Sequence, residues 1–253
     1  MIDQTFPDEN SPRVEVRVQS GKVRLVPGEA NSVRVVAEAH KDAGLEVSKR
    51  GATIVVATDK GGWFRNDKAD ITIYAPASTE ASINAASADV RATTPLSRLE
   101  VNTASGDITF TTVESLEVRT ASGDVRGDRV TESVRVVGAS GDVWIGSCSG
   151  KANFSSASGD VEIDRCRDDS LKTSTASGDV SVALCQSSEV DCKSMSGDVD
   201  LGIPPRTRLT LDVNTLSGNV TLPEPSGSSE PPESSMSMKI RLVSGDMNLF
   251  RAG

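Results

Sequence analysis

A short turn motif, Ser-Gly-Asp followed by an aliphatic residue, recurs along the chain at nearly constant spacing. From Ser87 onward, the Ser residues of successive copies are 18, 17, 18, 18, 19, 19, 21 and 27 residues apart. This period is too short for a propeller blade or a helical repeat, but it matches one coil of a β-solenoid. The spacing therefore predicts an all-β β-solenoid with coils of about 18 residues, and we expect it to be a right-handed parallel β-helix, although the spacing does not set the hand. The motif opens at Ser87 (degenerate), Ser105, Ser122, Ser140, Ser158, Ser177, Ser196, Ser217 and Ser244.

Each period contains two short alternating segments, one before and one after the turn, which indicates strands with one buried face. When coils stack, the buried positions form continuous columns. The column before the turn is predicted as Val101, Val118, Val136, Phe154, Thr173, Cys192, Val213 and Leu242. The column after the turn is predicted as Ile108, Val125, Val143, Val161, Val180, Val199, Val220 and Met247.

The turn residues favour a structural role over a metal site. Gly provides positive φ, and Ser and Asp can bond nearby backbone amides. Unit charges about 4.8 Å apart in water repel by only about 0.9 kcal/mol, which turn hydrogen bonds can offset. We predict a structural turn ladder and neither metal nor cofactor, with a calcium ladder as the alternative. The ladder residues are Asp107, Asp124, Asp142, Asp160, Asp179 and Asp198, flanked by Asp89 and Asp246.

The four cysteines occupy positions that are apolar in other coils. Cys148, Cys166 and Cys185 each follow a turn Ser by eight residues, in a column that elsewhere holds valine, and Cys192 lies in the column before the turn. Small buried thiols are the simplest interpretation, and there is no Cys-x-x-Cys pair to indicate zinc. Disulfide or metal use of the stack is the alternative.

Few residues suggest chemistry. His40 is the only histidine, and no nucleophile motif accompanies it, so we predict that the protein is not an enzyme. Trp144 alternates with Val143 and Ile145 and should point outward, which makes it a candidate surface contact for a protein or a sugar ring. The net charge of -9, without a basic block, argues against nucleic acid.

Targeting signals are not evident in this sequence. No apolar run approaches the ~18 residues needed to cross a bilayer, and the first residues lack the pattern of a signal peptide. We therefore expect a cytoplasmic protein that is not inserted in a membrane.

The chain divides into three predicted regions. Residues 1–12 are expected to be a disordered N-terminus, 13–80 an N-terminal β cap with the opening coils, and 81–253 the repeat solenoid. A Pro/Ser/Glu-rich stretch predicts a flexible loop over 223–236. If the last coil, around Met247-Asn-Leu249, lacks a cap, the protein could assemble end to end.

The chain resembles the bacterial "putative adhesin" β-strand-repeat family of the DUF4097 type over roughly residues 12–250. An N-terminal strand pair around a Gly turn, the segment Ile71-Thr-Ile-Tyr-Ala-Pro76 and the serial Thr-Ala-Ser-Gly-Asp-Val units carry the resemblance. It implies a β-helical fold without established enzymatic activity.

The function expected from the sequence is a non-enzymatic scaffold or interaction protein. Its partner would be an unknown protein or a copy of itself, bound by the strand faces and the 223–236 loop. The alternative is a glycan- or calcium-binding solenoid that uses Trp144 or the Asp column. A carbohydrate enzyme that depends on carboxylates alone is a third hypothesis.

Overall fold

The computed structural model describes residues 1–7, 12–40, 44–58, 68–224 and 231–252. These residues form nineteen β-strands and no helix, which confirms the predicted all-β class. Accordingly, this part of the chain contains no helix long and apolar enough to span a membrane. The chain folds as two compact units, Met1–Gly127 and Asp128–Gly253.

The first unit begins with a cap of mixed pairing. The strands of this unit are β1 (Ile2–Pro7), β2 (Arg13–Pro27), β3 (Ser32–His40), β4 (Leu45–Arg50), β5 (Thr53–Thr58), β6 (Lys68–Ala75), β7 (Thr79–Ala92), β8 (Leu96–Ser105) and β9 (Ile108–Ser122). Strand β2 pairs in parallel with β7 on one side and with β5 and β6 on the other. Three antiparallel pairs, β3 with β6, β1 with β3 and β4 with β5, extend this arrangement.

Regular coils follow the cap in the first unit. Strands β7, β8 and β9 run parallel with the turn serines in register, Ser87 beside Ser105 and Ser105 beside Ser122. The alternation of the sequence places Val101 and Val118 in the core, as predicted. Each strand thus pairs with the equivalent strand of the next coil, and the apolar residues of the paired strands form a continuous buried layer.

The second unit repeats this stacking. Val143 pairs with Val161, Val161 with Val180, and Val180 with Val199, all in parallel and all buried. Its strands are β10 (Val125–Ser140, which begins in the first unit), β11 (Val143–Ser158), β12 (Val161–Ser177), β13 (Val180–Cys185), β14 (Glu189–Ser196), β15 (Val199–Ile203), β16 (Thr207–Ser217), β17 (Val220–Thr221), β18 (Ser234–Ser244) and β19 (Met247–Arg251).

The last two coils do not stack in sequence order. Strand β14 pairs with β18, and β18 in turn pairs with β16. Likewise, β19 lies between β15 and β17, so that Met247 pairs with both Val199 and Val220. The final strands of the chain therefore fill the gap between two earlier coils. The uncovered coil is β16–β17, and the predicted terminal position of Met247-Asn-Leu249 is wrong.

Three further expectations differ from the structure. Ile2–Pro7 forms strand β1 within the stretch predicted as disordered over 1–12. Strand β18 begins at Ser234, inside the loop predicted for 223–236, and residues 225–230 of that loop lie outside the described residues. Leu242 is buried but pairs with Ser194, and the position level with Cys192 belongs to Ile240.

Candidate interaction surface

The Asp residues of the turns form a hydrogen-bonded ladder. In each link, Oδ1 of one Asp accepts a hydrogen bond from the backbone N–H of the turn residue in the next coil. The contact is 2.9 Å from Asp179 N to Asp160 Oδ1 and 2.7 Å from Asp198 N to Asp179 Oδ1. Further links join Asp107 N to Asp89 (3.4 Å), Asp124 N to Asp107 (3.2 Å), Asp160 N to Asp142 (3.0 Å), Asp246 N to Asp198 (2.7 Å) and Asn219 N to Asp246 (2.8 Å).

Backbone bonds accompany these side-chain links. Val180 N donates to the carbonyl oxygen of Asp198 at 2.9 Å, and Gly178 N donates to that of Ser196 at 3.2 Å. In these links, one side-chain oxygen of the Asp and the main chain of the turn therefore join neighbouring coils. This geometry accounts for Asp in the motif without a metal ion. Among the described residues, no group of three or more His, Cys, Asp and Glu side chains is arranged to hold a metal.

We predict that Asp179→Ala lowers the free energy of unfolding by about 1–2 kcal/mol, because a charge-assisted hydrogen bond is lost while water can still reach the amide of Asp198. Asp179→Asn keeps an acceptor oxygen and should lose less. The measurement is urea unfolding followed by circular dichroism. The matched control is Asp164→Ala, at an exposed position of β12; equal losses for Asp179→Ala and Asp164→Ala would contradict the structural role of the ladder.

Trp144 lies on the outward side of β11 between buried Val143 and Ile145, as the alternation predicts. Its side chain is half-buried. It lies in register with Glu162 on β12, and the ring edge is close to Gly146. Trp144 is thus part of the outer sheet surface and offers only part of its ring to a partner. The other residue discussed for chemistry, His40, ends β3, and its side chain lies outside the described part of the structure.

The four cysteines are buried, and no disulfide bond joins them in the part of the chain that the structure describes. Cys148 pairs in register with Cys166, and Cys166 with Cys185, as expected for a column. Cys166 Sγ lies 3.3 Å from Ser187 Oγ. Burial raises the pKa of Cys192 to about 12, and the hydrogen-bonded Cys166 thiol together with burial raises the pKa of Cys185 well above its usual range. Both groups are neutral thiols in the native state at physiological pH.

These shifts make stability depend on alkaline pH. Below the ordinary cysteine pKa of 9.0, the folded and unfolded chains both keep the thiol protons. Above it, the unfolded chain loses protons that the native state retains, so the free energy of unfolding falls as pH rises from about 9 toward 12. We predict that Cys192→Val makes this fall shallower than in the wild type. Urea midpoints at pH 8 and pH 10.5 measure it, and identical pH dependence in the two proteins would contradict the prediction.

An apolar stripe crosses the outward face near the uncovered end of the second unit. The residue before the turn Ser is alanine in the preceding coils, as at Ala157 and Ala176, but it becomes Met195, Val243 and Leu216 on β14, β18 and β16. These three side chains, here called the apolar stripe, are 61%, 46% and 81% exposed. Their size is not needed for the core, so the stripe is a feature of the surface.

Strand β16 ends the stack of parallel strands in the second unit. It pairs on one side with β18, and its other side has no strand partner among the described residues. Arg251 anchors its start, because Nη1 donates to the carbonyl oxygens of Pro204 (2.9 Å) and Thr207 (3.3 Å). Sequence order concealed this edge. One signal in the sequence could have identified the edge: the turn position that is Asp in the neighbouring coils is Asn219 here. The uncovered coil has no next coil whose backbone N–H needs a carboxylate acceptor.

The surface depressions of the first unit include two that contain arginine side chains from the cap strands. One, of about 600 Å³, is lined by charged and small residues of β2, β4 and β5, including Arg17 and Arg50. The other, of about 470 Å³, contains Arg34 beside Tyr74, with the guanidinium 5.7 Å from the ring centre. Arg34 also pairs with Asp3 at 2.6 Å, and its hydrogen bond lowers the pKa of that carboxyl. The positive charge of Arg34 is thus already balanced by the Asp3 carboxylate on the neighbouring strand β1.

In-register parallel coils, a turn ladder and an outer surface of half-buried side chains define a solenoid-like repeat protein. The chain belongs to the DUF4097 (Toastrack) family, whose family model matches residues 12–250. The resemblance found in the sequence is therefore confirmed. No curated protein matches the chain.

The chain is similar to solved structures from Parabacteroides and Bacteroides species. A "putative adhesin" from Parabacteroides distasonis is 10% identical with a TM-score of 0.51, over 98% of this chain and 96% of that one. A "putative adhesin" from Bacteroides fragilis is 15% identical, with a TM-score of 0.47 over 98% and 96%. A "putative lipid binding protein" from Parabacteroides distasonis is 18% identical, with a TM-score of 0.45 over 95% and 96%. At these identities, the first of them supports the fold alone.

Proposed function

We propose that this protein is a non-enzymatic, adhesin-like interaction protein that binds another protein through the apolar stripe. The observation that carries the proposal is the replacement of alanine by Met195, Val243 and Leu216 on three adjacent strands. Exposed apolar side chains in a contiguous group are typical of protein-binding surfaces. Methionine and leucine supply flexible contact area, which suits an apolar partner surface.

The proposal includes the finer predictions from the sequence. The coils are about 18 residues long, as the spacing of the turn serines suggests, and their right-handed sense is part of the proposal. The location is cytoplasmic, and thiols that form no disulfide among the described residues fit a reducing compartment. Calcium binding by the ladder is disfavoured because the Asp Oδ1 atoms already accept hydrogen bonds from neighbouring amides. Glycan binding at Trp144 is weakened by the half-buried ring.

The test restores the alanine of the earlier coils with Met195→Ala/Val243→Ala/Leu216→Ala. Full-length protein is immobilised, and partners are captured from an extract of the cells that make it. We expect the wild type to retain a partner that the triple variant binds at least about tenfold less, as expected for the loss of several buried apolar contacts. Thermal unfolding checks that both proteins are folded.

A matched control changes the outward row two residues earlier on the same strands. Lys193 pairs in register with Arg241, and Arg241 with Asn214. The variant Lys193→Ala/Arg241→Ala/Asn214→Ala should capture the partner as well as the wild type does. Equal capture by the stripe variant and the wild type, or no capture by any of them, would overturn the proposed function.

A further inference from the structure

Strand β16 has an open backbone edge of a kind that proteins usually protect. In a parallel strand, alternate residues direct both N–H and C=O away from the neighbour, so the side of β16 opposite β18 presents a row of donors and acceptors. Pro, Lys and bulges commonly block such edges. Over Thr207–Ser217 there is neither Pro nor Lys, and the pairing with β18 is regular throughout. This edge is therefore suited to a further strand.

The side chains of β16 alternate along this edge. Arg208, Thr210 and Asp212 face outward and are exposed, whereas Leu209 and Leu211 lie on the core side. The two leucines are only half-buried, although the equivalent positions of β18, such as Met238, are buried. The core layer is thus left incomplete at β16, and an added strand would cover it.

We propose that β16 pairs antiparallel with β16 of a second copy, around a two-fold axis at Thr210, to form a closed dimer. This inference names a second copy of the chain as a partner at the same end of the second unit that carries the apolar stripe. It rests on the proposed function of the protein in binding other proteins. The pairing places Arg208 of each protomer opposite Asp212 of the other. It also places Leu209 opposite Leu211, so the apolar layer continues across the axis.

The charges of β16 select this register. Antiparallel partners must share a face of the sheet, which restricts the pairing to slips of two residues. One slip places Asp212 opposite its own copy, and another places Arg208 opposite its own copy. A third places Asp212 opposite Arg206, which lies in a turn with φ of 57° and is paired with Glu233. Only pairing centred on Thr210 matches both charges of the strand with an opposite charge.

A two-fold contact also explains why assembly would stop at two copies. Isologous pairing uses the same edge of both protomers, so neither β16 edge remains free. The edge strands of the first unit carry the residues that block pairing: β1 ends at Pro7, and β4 contains Lys49 and Arg50. The short paired segment predicts a small interface and an equilibrium between monomer and dimer that depends on concentration.

The experiment is sedimentation velocity of the full chain over a concentration series from about 1 to 300 µM, a range suited to a small interface. We expect a shift from monomer to dimer with no larger species. Asp212→Arg and Arg208→Asp should each weaken dimerisation at least about tenfold, because each exchanges two ion pairs for two like-charge contacts. The charge swap Arg208→Asp/Asp212→Arg should restore it.

The swap also separates loss of pairing from loss of folding, because a misfolded protein would not recover. Asp164→Arg, an equal charge change on exposed β12, should leave the dimer unchanged. A monomer at every concentration, open-ended growth, or a dimer insensitive to both single reversals would overturn the proposal. If the protein is strictly monomeric but captures a partner through the apolar stripe, this inference alone is rejected. If the protein forms a dimer that responds to the charge swap but captures no partner through the stripe, the proposed function alone is rejected.

Discussion

Gly106→Ala is expected to lower the free energy of unfolding by about 3 kcal/mol or more, since it combines backbone strain with overpacking. Gly106 has φ of 121°, a conformation that L-residues with a side chain rarely adopt. An added Cβ would lie 2.6 Å from the carbonyl carbon of Ala88 and closer still to its oxygen. Since these atoms belong to the backbone of the adjacent coil, the two coils would have to separate. Urea unfolding monitored by circular dichroism measures the loss.

Gly51 is the matched control for this substitution. It also has positive φ, 61°, but nothing lies within 4 Å of the Cβ that alanine would add. Gly51→Ala should therefore cost about 1 kcal/mol, the strain of a left-handed residue without any steric contact. If the two variants lost the same stability, the close approach of the coils at the turn would not be the reason for glycine at Gly106.

The sequence predicted the regular coils well because their stacking depends on local, repeated features. The alternation around each turn placed Val101, Val118 and Val161 in the core, and the spacing placed turn Asp residues beside each other within each unit. Each coil needs only the same turn chemistry and an apolar residue at the same position to stack on its neighbour. Those requirements can be read from the residues themselves.

The order of the last coils could not be read in this way. The turns at Ser217 and Ser244 carry nearly the same motif, so either coil could stack on β14. The two turns differ in whether their side chain must accept a hydrogen bond from a further coil. Asp246 accepts one from the backbone N–H of Asn219, whereas no coil follows Asn219 among the described residues. Val220 is 39% exposed for the same reason. The spacing of 27 residues also includes the connection that returns the chain to the gap.

Strand β1 and the antiparallel pairs of the cap were missed for a different reason. Antiparallel pairing of β3 with β6 joins segments whose spacing has no relation to the repeat. Ile2–Pro7 is short, and four of its six residues are exposed, so its stability comes from pairing with β3 rather than from burial. A periodic pattern predicts only the elements that obey the period, and an end of a solenoid must depart from it.

The ring of Phe110 fits in the core only because the residue stacked beside it, Gly127, has no side chain. Phe110 and Gly127 occupy the same slot after the turn in successive coils, where other coils hold Ile145, Ile163 and Val182. Phe110 is fully buried, and a Cβ at Gly127 would overlap its ring. We predict that Gly127→Ala lowers the free energy of unfolding by about 2–4 kcal/mol, since a close-packed core cannot move the ring aside.

A double-mutant cycle tests whether this loss comes from the ring. Phe110→Val alone should cost about 2–3 kcal/mol through the cavity it leaves. In the variant Phe110→Val/Gly127→Ala, the new methyl group enters part of that cavity, so the double variant should be at least about 1 kcal/mol more stable than the sum of the two losses predicts. Additive losses would mean that Gly127 is required by its backbone rather than by Phe110. Positive coupling would show instead that large and small residues must alternate between stacked coils, a constraint on neighbouring repeats that no single repeat reveals.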